Sequence, residues 1–117
     1  MNKNDGTEKY LPLSEATFYI MLMLVEPKHG YSVMQEVEVL TAGQVKIGPG
    51  TLYGAFSTLE KEGLLEMVGE EARRKIYTLT GKGCSVLQRQ LERLELMVNN
   101  GHEMLKQKVI MDNEKEG

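Results

Sequence analysis

The sequence predicts a mainly α chain with a small β-hairpin: three helices, two strands, then one long helix. Three observations predict it. Apolar residues recur at helical spacing as far as Gly63, switch to branched and aromatic runs at Leu64–Val68 and Lys75–Leu79, and return to helical spacing from Leu87. Prolines and glycines fall at the joins, at Pro27, Gly43, Pro49, Gly63 and Gly69. A chain of 117 residues with 41% hydrophobic residues has material for a single modest core.

Residues 1–10 are polar, carry Gly6 and are expected to fray as a flexible segment. Ser14 suits a helix N-cap, Glu15 suits the first turn, and Leu13 can staple against Phe18. The run Phe18–Val25 is apolar on nearly every face, which marks a helix buried on most sides, and Pro27 ends it. His29-Gly30-Tyr31-Ser32 opens a second helix to about Thr41, with Val33, Met34, Val37 and Leu40 as its inner stripe and Gly43 as its stop. Beyond the connection Lys46–Gly50, Pro49 takes the first position of a third helix, where its missing N–H is no loss. There Leu52, Ala55, Phe56 and Leu59 share one face, while Thr51, Tyr53, Gly54, Ser57, Thr58 and Lys61 point the other way. Gly63 stops it.

Gly69-Glu70-Glu71-Ala72 reads as the tip between the two strands. Thr80 then caps a final helix over 81–111, which carries Leu87, Leu91, Leu94 and Val98 at spacings of four and three, with Gly101 and Leu105 in register. Gly101 would weaken or bend it there. Residues 112–117 read as a solvated tail.

Helix, helix, helix, strand, turn, strand is the winged helix-turn-helix layout, occupying 11–80, with the final helix beyond it. The physics suits DNA. The third helix is anchored by its apolar face and presents small and hydroxylic residues plus Tyr53, so it can enter a major groove without steric or charge conflict. Its first turn offers free N–H groups from Gly50 and Thr51 to a phosphate. Arg73-Arg74-Lys75 puts three adjacent cations at the base of a protruding ribbon. Each clue alone has a bland reading: a solvated strand edge for the basic run, half-buried core rims for Tyr31 and Tyr53, a mere turn for Gly48-Pro49-Gly50. Together they have few structural reasons to coexist.

The strings Gly48-Pro49-Gly50-Thr51-Leu52-Tyr53-Gly54, Leu59-Glu60-Lys61-Glu62-Gly63-Leu64-Leu65 and Arg73-Arg74-Lys75-Ile76-Tyr77-Thr78-Leu79-Thr80, with Gly83, resemble the PadR family of bacterial transcriptional regulators. Leu13-Ser14-Glu15 and Pro27-Lys28-His29-Gly30-Tyr31 resemble it too, so the likeness covers about residues 11 to 100. It implies a homodimeric repressor whose third helix, about 49–62, reads an inverted-repeat operator while the wing, about 64–79, touches DNA. By that likeness Tyr31, Thr51 and Tyr53 contact phosphates, Gly50, Gly54 and Ser57 lie nearest the bases, and Arg73, Arg74 and Lys75 form the wing contact. Lys46 and Lys61 complete the expected DNA-binding set. A single helix after Thr80 resembles the short type of the family. The stripe agrees from its own chemistry: Leu87, Leu91, Leu94, Val98 and Leu105 need a partner, and a two-fold dimer supplies one.

Some short members of the family hold flat aromatic drugs between the dimer helices with a tryptophan. This chain has no Trp, and Leu94 stands near that position. Met97 and Met104 have two uses open to them: filler at the dimer seam, or an adaptable surface for a small apolar effector.

Other classes fit less well. Net charge is −3 and the pI about 5.4, so bulk charge does not draw the chain to nucleic acid. His29, His102 and Cys84 stand on separate elements, with no nucleophile, metal-ligand or phosphate-loop spacing, so neither catalysis nor a metal or other cofactor is expected. Cys84 is expected to face the core, and a lone cysteine fits the reducing cytoplasm. The apolar run Phe18–Val25 is too short to span a bilayer, and Met1–Gly6 lacks the pattern of a signal peptide. One rival remains: a winged helix that binds protein. Residues 28–83 carry seven basic and seven acidic side chains, and Glu70 and Glu71 at the expected tip would repel phosphates. The base of the wing, not its tip, is therefore expected to touch DNA.

Overall fold

The computed structural model describes residues 6–116. A 3-10 turn at Glu8–Tyr10 leads into α1 (Glu15–Met23), β1 (Lys28–His29), α2 (Gly30–Leu40), α3 (Pro49–Lys61), β2 (Leu65–Glu71), β3 (Arg74–Leu79) and α4 (Gly81–Glu116). The chain is a mainly α fold with a small antiparallel sheet and a long C-terminal helix.

Local chemistry sets the ends of the helices. Ser14 Oγ accepts the Thr17 N–H at 3.1 Å and so caps α1. His29 caps α2 through its ring nitrogen, which accepts the Ser32 N–H at 3.4 Å. At the end of α3, Gly63 takes φ +75° and lets the Leu64 N–H turn back to the Leu59 carbonyl at 2.8 Å. The same closure ends α2, where Gly43 N–H reaches the Glu38 carbonyl at 2.8 Å. Ala42, one residue ahead of Gly43, already stands at φ +52°.

Ile20, Met21 and Leu24 meet Val33 and Val37 of α2, Leu52, Phe56 and Leu59 of α3, Leu64, Leu65 and Leu79 of the sheet region, and Val86 and Leu87 of α4 in one core. Leu40, expected on the inner stripe of α2, faces outward beside Val39 because it sits in the last turn, beyond the reach of that core.

Two features of the sheet correct the sequence reading. Its order is β1-β3-β2, so β1 adds a third strand, Lys28 opposite Tyr77 and His29 opposite Ile76. The hairpin tip is not Gly69–Ala72. β2 runs on to Glu71, and the turn is Ala72-Arg73, both left-handed at φ +50° and +67°. Gly69 lies in the strand next to a bulge that leaves Val68 without an opposite residue. Arg73 is thus at the tip itself and not at the base. Glu70 and Glu71 sit on the strand leading to it, opposite Lys75 and Arg74.

α4 is spent in two ways. Gly83, Val86, Leu87 and Gln90 are buried against the domain, Leu91 and Leu94 are half-buried, and residues 95–111 are exposed. Leu87 therefore packs in the domain's own core and is not free for the dimer seam expected of it. Cys84 is exposed, one position off the buried 83, 86, 87, 90 line. The helix passes through Gly101 and runs to Glu116, the last described residue, so 112–116 are helical and not the solvated tail expected. Within the segment expected to fray, Thr7 is buried, Arg89 Nη2 bonds Glu8 at 2.5 Å, and the Leu13 N–H bonds buried Gln90 Oε1 at 2.8 Å. Residues 7–13 strap the first turns of α4, while the rest of that expectation, residues 1–5, lies outside the described residues. No helix among the described residues is long and apolar enough to cross a membrane.

Candidate nucleic-acid interface

Three elements converge on one groove because β1 and β3 pair. That pairing brings the start of α2 up to the side of the hairpin, with α3 packed beneath both. The groove between them, of about 560 Å³, is lined by His29, Gly30, Tyr31, Tyr53, Arg73, Arg74, Lys75 and Tyr77. It is cationic on its wing side and aromatic on its helix side.

The aromatic side is held from below. Phe56 is buried in the core, with its ring centre 6.0 Å from Tyr53 and 4.9 Å from Tyr77, both edge to face. Tyr53 and Tyr31 are 52% and 51% exposed, so both rings stand as walls with one side wet. Gly30 matters here because a Cβ on it would come within 2.9 Å of the Tyr53 hydroxyl and of Leu52 Cδ2. A side chain here would force the ends of Leu52 and Tyr53 to move.

On the cationic side, the Arg74 guanidinium carbon lies 5.6 Å from the centre of the Tyr31 ring, within cation–π range. Arg73, at the turn, and Lys75, on the next position of β3, are exposed.

α3 presents the rest. Gly50, Thr51, Tyr53, Gly54, Ser57, Thr58 and Lys61 are all exposed, as their spacing requires. A Cβ built on Gly50 or Gly54 would meet nothing within 4 Å, so the fold does not require glycine at either position. Gly50 and Gly54, one turn apart, leave a bare patch on the outer face of the first half of this helix.

Of the residues singled out from the sequence, the structure gathers Tyr31, Tyr53, Arg73, Arg74 and Lys75 around the groove and sets Gly50, Thr51, Gly54 and Ser57 on the exposed face beside it. Lys46 and Lys61 do not line the groove. Lys46 Nζ lies 3.9 Å from Glu38 Oε1 near the end of α2, and Lys61 is in the last turn of α3. Sequence reasoning missed His29, Gly30 and Tyr77 as groove residues; His29 read only as part of the opening of α2. The glycine had no turn signal to mark it, and Tyr77 read only as one aromatic in a strand.

This geometry has counterparts. The family model described as the transcriptional regulator PadR-like family matches residues 10–89. The chain belongs to the PadR-like family of transcriptional regulators. A transcriptional regulator from Clostridium thermocellum superposes with a TM-score of 0.68 at 27% identity, covering 88% of this chain and 97% of that one. A PadR-like transcription factor from Bacteroides fragilis gives 0.61 at 30% identity, over 77% of this chain and 88% of that one. In sequence, the transcriptional regulator YqjI of Escherichia coli is 29% identical over 72 residues, which is 62% of this chain and 35% of that protein. The chain spans 22% and 35% of the length of two curated relatives it matches, so the likeness concerns the PadR-like domain.

Proposed function

We propose that this PadR-like chain is a homodimeric DNA-binding repressor that reads an inverted-repeat operator. The observation that carries the reading is the groove. Three cations, two exposed tyrosines and a helix face with two open glycines share one side of the domain, a combination that serves a phosphate backbone and a base edge at once. In this reading α3 enters the major groove with Gly50, Gly54 and Ser57 nearest the bases. Thr51, Tyr31 and Tyr53 meet phosphates, and the wing reaches the backbone through Arg73 at its tip and Arg74 and Lys75 behind it.

Two apolar surfaces support the dimer. Leu96, Met97, Val98, Met104, Leu105, Val109, Ile110 and Met111 are exposed along α4, and Phe18, Tyr19, Leu22 and Met23 of α1 are only partly covered. Uncovered apolar area on this scale marks an interface. Leu91, Leu94, Val98 and Leu105 form the seam in this reading. Met97 and Met104 lie beside them, and a small apolar effector lodged there would relieve repression by changing how the two helices pack.

Fluorescence anisotropy of the purified chain with its own promoter fragment and with a scrambled duplex, at two salt concentrations, tests the proposal. Tight binding to the promoter alone, weakening as salt rises, supports it. Salt-insensitive failure to bind either duplex, or any fragment from a genome-wide selection, favours a winged helix that docks on protein. The carboxylates of Glu70 and Glu71 beside the wing tip suit that second reading.

A further inference from the structure

We infer that Thr80 is a positioning residue that fixes which half-site spacing the dimer accepts. The inference rests on the dimeric reading above, and it starts from one hydroxyl. Thr80 Oγ1 donates to the Gly63 carbonyl at 2.6 Å and accepts the Gly83 N–H at 3.0 Å. A single side chain thus ties the residue that closes α3 to the first turn of α4.

Three further contacts stiffen the joint. The Thr80 N–H bonds the Leu64 carbonyl at 3.1 Å, and Lys82 Nζ bonds the Glu62 carbonyl at 3.0 Å. Gly83 is pressed so tightly on the chain that a Cβ there would lie 2.2 Å from the Leu64 carbonyl oxygen. Two turns further along α4, Glu8 and Leu13 hold Arg89 and Gln90. The N-terminal end of α3 has no such tie, since Gly48 caps it without a side-chain bond.

The arrangement is a lever with one stiff end. α4 is 36 residues long, about 54 Å, and residues 95–111 of it are exposed. In a dimer held together through α4, the orientation of each α3 follows from the joint at Thr80. A give of about 10° there, over the ~20 Å length of α3, would move the far end of α3 by about 3 Å, close to the rise of one base pair. Spacing selectivity therefore depends on the stiffness of this joint more than on any contact with DNA.

The test uses the full chain and an operator selected by the wild type, rebuilt with its centre lengthened or shortened by one base pair. Wild type should prefer the native spacing by about tenfold. Thr80→Val, which keeps the shape and removes the hydroxyl, should still dimerise by sedimentation and bind an isolated half-site as well as wild type, while its native-to-shifted ratio falls about fivefold. Thr80→Ser should restore the ratio. If Thr80→Val does not fold, Lys82→Met is read by the same ratio. A folded variant with the wild-type ratio overturns the inference and leaves the DNA-binding reading intact. A wild type with no spacing preference overturns the dimeric reading and the inference with it.

Discussion

The Arg74 guanidinium sits over the Tyr31 ring at 5.6 Å, joining the wing to the first turn of α2. Held there, Arg74 keeps to one place instead of sweeping through solvent, and in the proposed function that is where it meets the DNA backbone. Arg73, one residue earlier, occupies the second position of the turn at φ +67°. Two neighbouring arginines thus have different tasks: one braced on an aromatic wall, the other at the tip.

Tyr31→Leu should separate these tasks. It removes the ring that steadies Arg74 while leaving every charge in place. Affinity should fall about threefold to tenfold, in line with the ~1 kcal/mol of an exposed cation–π pair plus a phosphate contact, while the salt slope changes by no more than that contact. Anisotropy titrations at several salt concentrations check both numbers.

Gly54→Ala should stabilise the protein and impair it. Nothing lies within 4 Å of the added methyl, and alanine is favoured over glycine in a helix by about 1 kcal/mol. A higher midpoint of thermal unfolding is expected together with weaker operator binding, because the methyl thickens the patch that approaches the bases. A loss of stability would mean that the face of α3 is more crowded than its exposure indicates.

Gly30→Ala should do the reverse of a neutral change. Its methyl would meet Leu52 Cδ2 and the Tyr53 hydroxyl at 2.9 Å, one in the core and one on the groove wall. Crowding of this kind costs about 1–3 kcal/mol, and the displaced Tyr53 should also weaken DNA binding in the folded fraction. Chemical denaturation and anisotropy measure the two effects separately.

Ala42→Gly should stabilise. A left-handed residue with a Cβ costs about 1–2 kcal/mol, and glycine removes that strain while adding back part of it as chain entropy. A net gain of about 0.5 kcal/mol is expected for the residue at φ +52° that ends α2, seen as a raised denaturation midpoint with an unchanged slope.

Leu105→Glu should leave each domain folded and halve the mass in sedimentation, since Leu105 is 67% exposed and makes no part of its own core. A dimer that survives this change would place the seam elsewhere on α4 or on α1.

Much of the fold is legible in the sequence wherever short-range chemistry decides it. Ser14, Pro49 and Gly63 mark helix ends by capping and backbone rules, and the three-and-four spacing of Leu52, Phe56 and Leu59 fixes which side of α3 turns outward. What escaped is decided at long range or against local preference. β1 is two residues long and exists only because Ile76 and Tyr77 pair with it from far along the chain. Ala72-Arg73 forms a two-residue turn without the asparagine and glycine that usually announce one, so the tip was expected too early and Arg73 too low. On α4 the stripe Leu87, Leu91, Leu94 and Val98 is continuous in sequence, yet the domain covers its first part and leaves the rest. Periodicity reports a face, not what covers it. The groove itself was legible only as residue types, since Gly30 and Tyr77 join it through packing.

The central claim is that the groove between α2, α3 and the wing holds the DNA backbone. The most direct test is the salt dependence of operator binding for Arg73→Ala combined with Arg74→Ala against wild type. Two lost phosphate contacts should lower the slope of log affinity on log salt by about 1.8 and weaken binding to all sequences alike. An unchanged slope and affinity would put the DNA elsewhere on the molecule and contradict the claim.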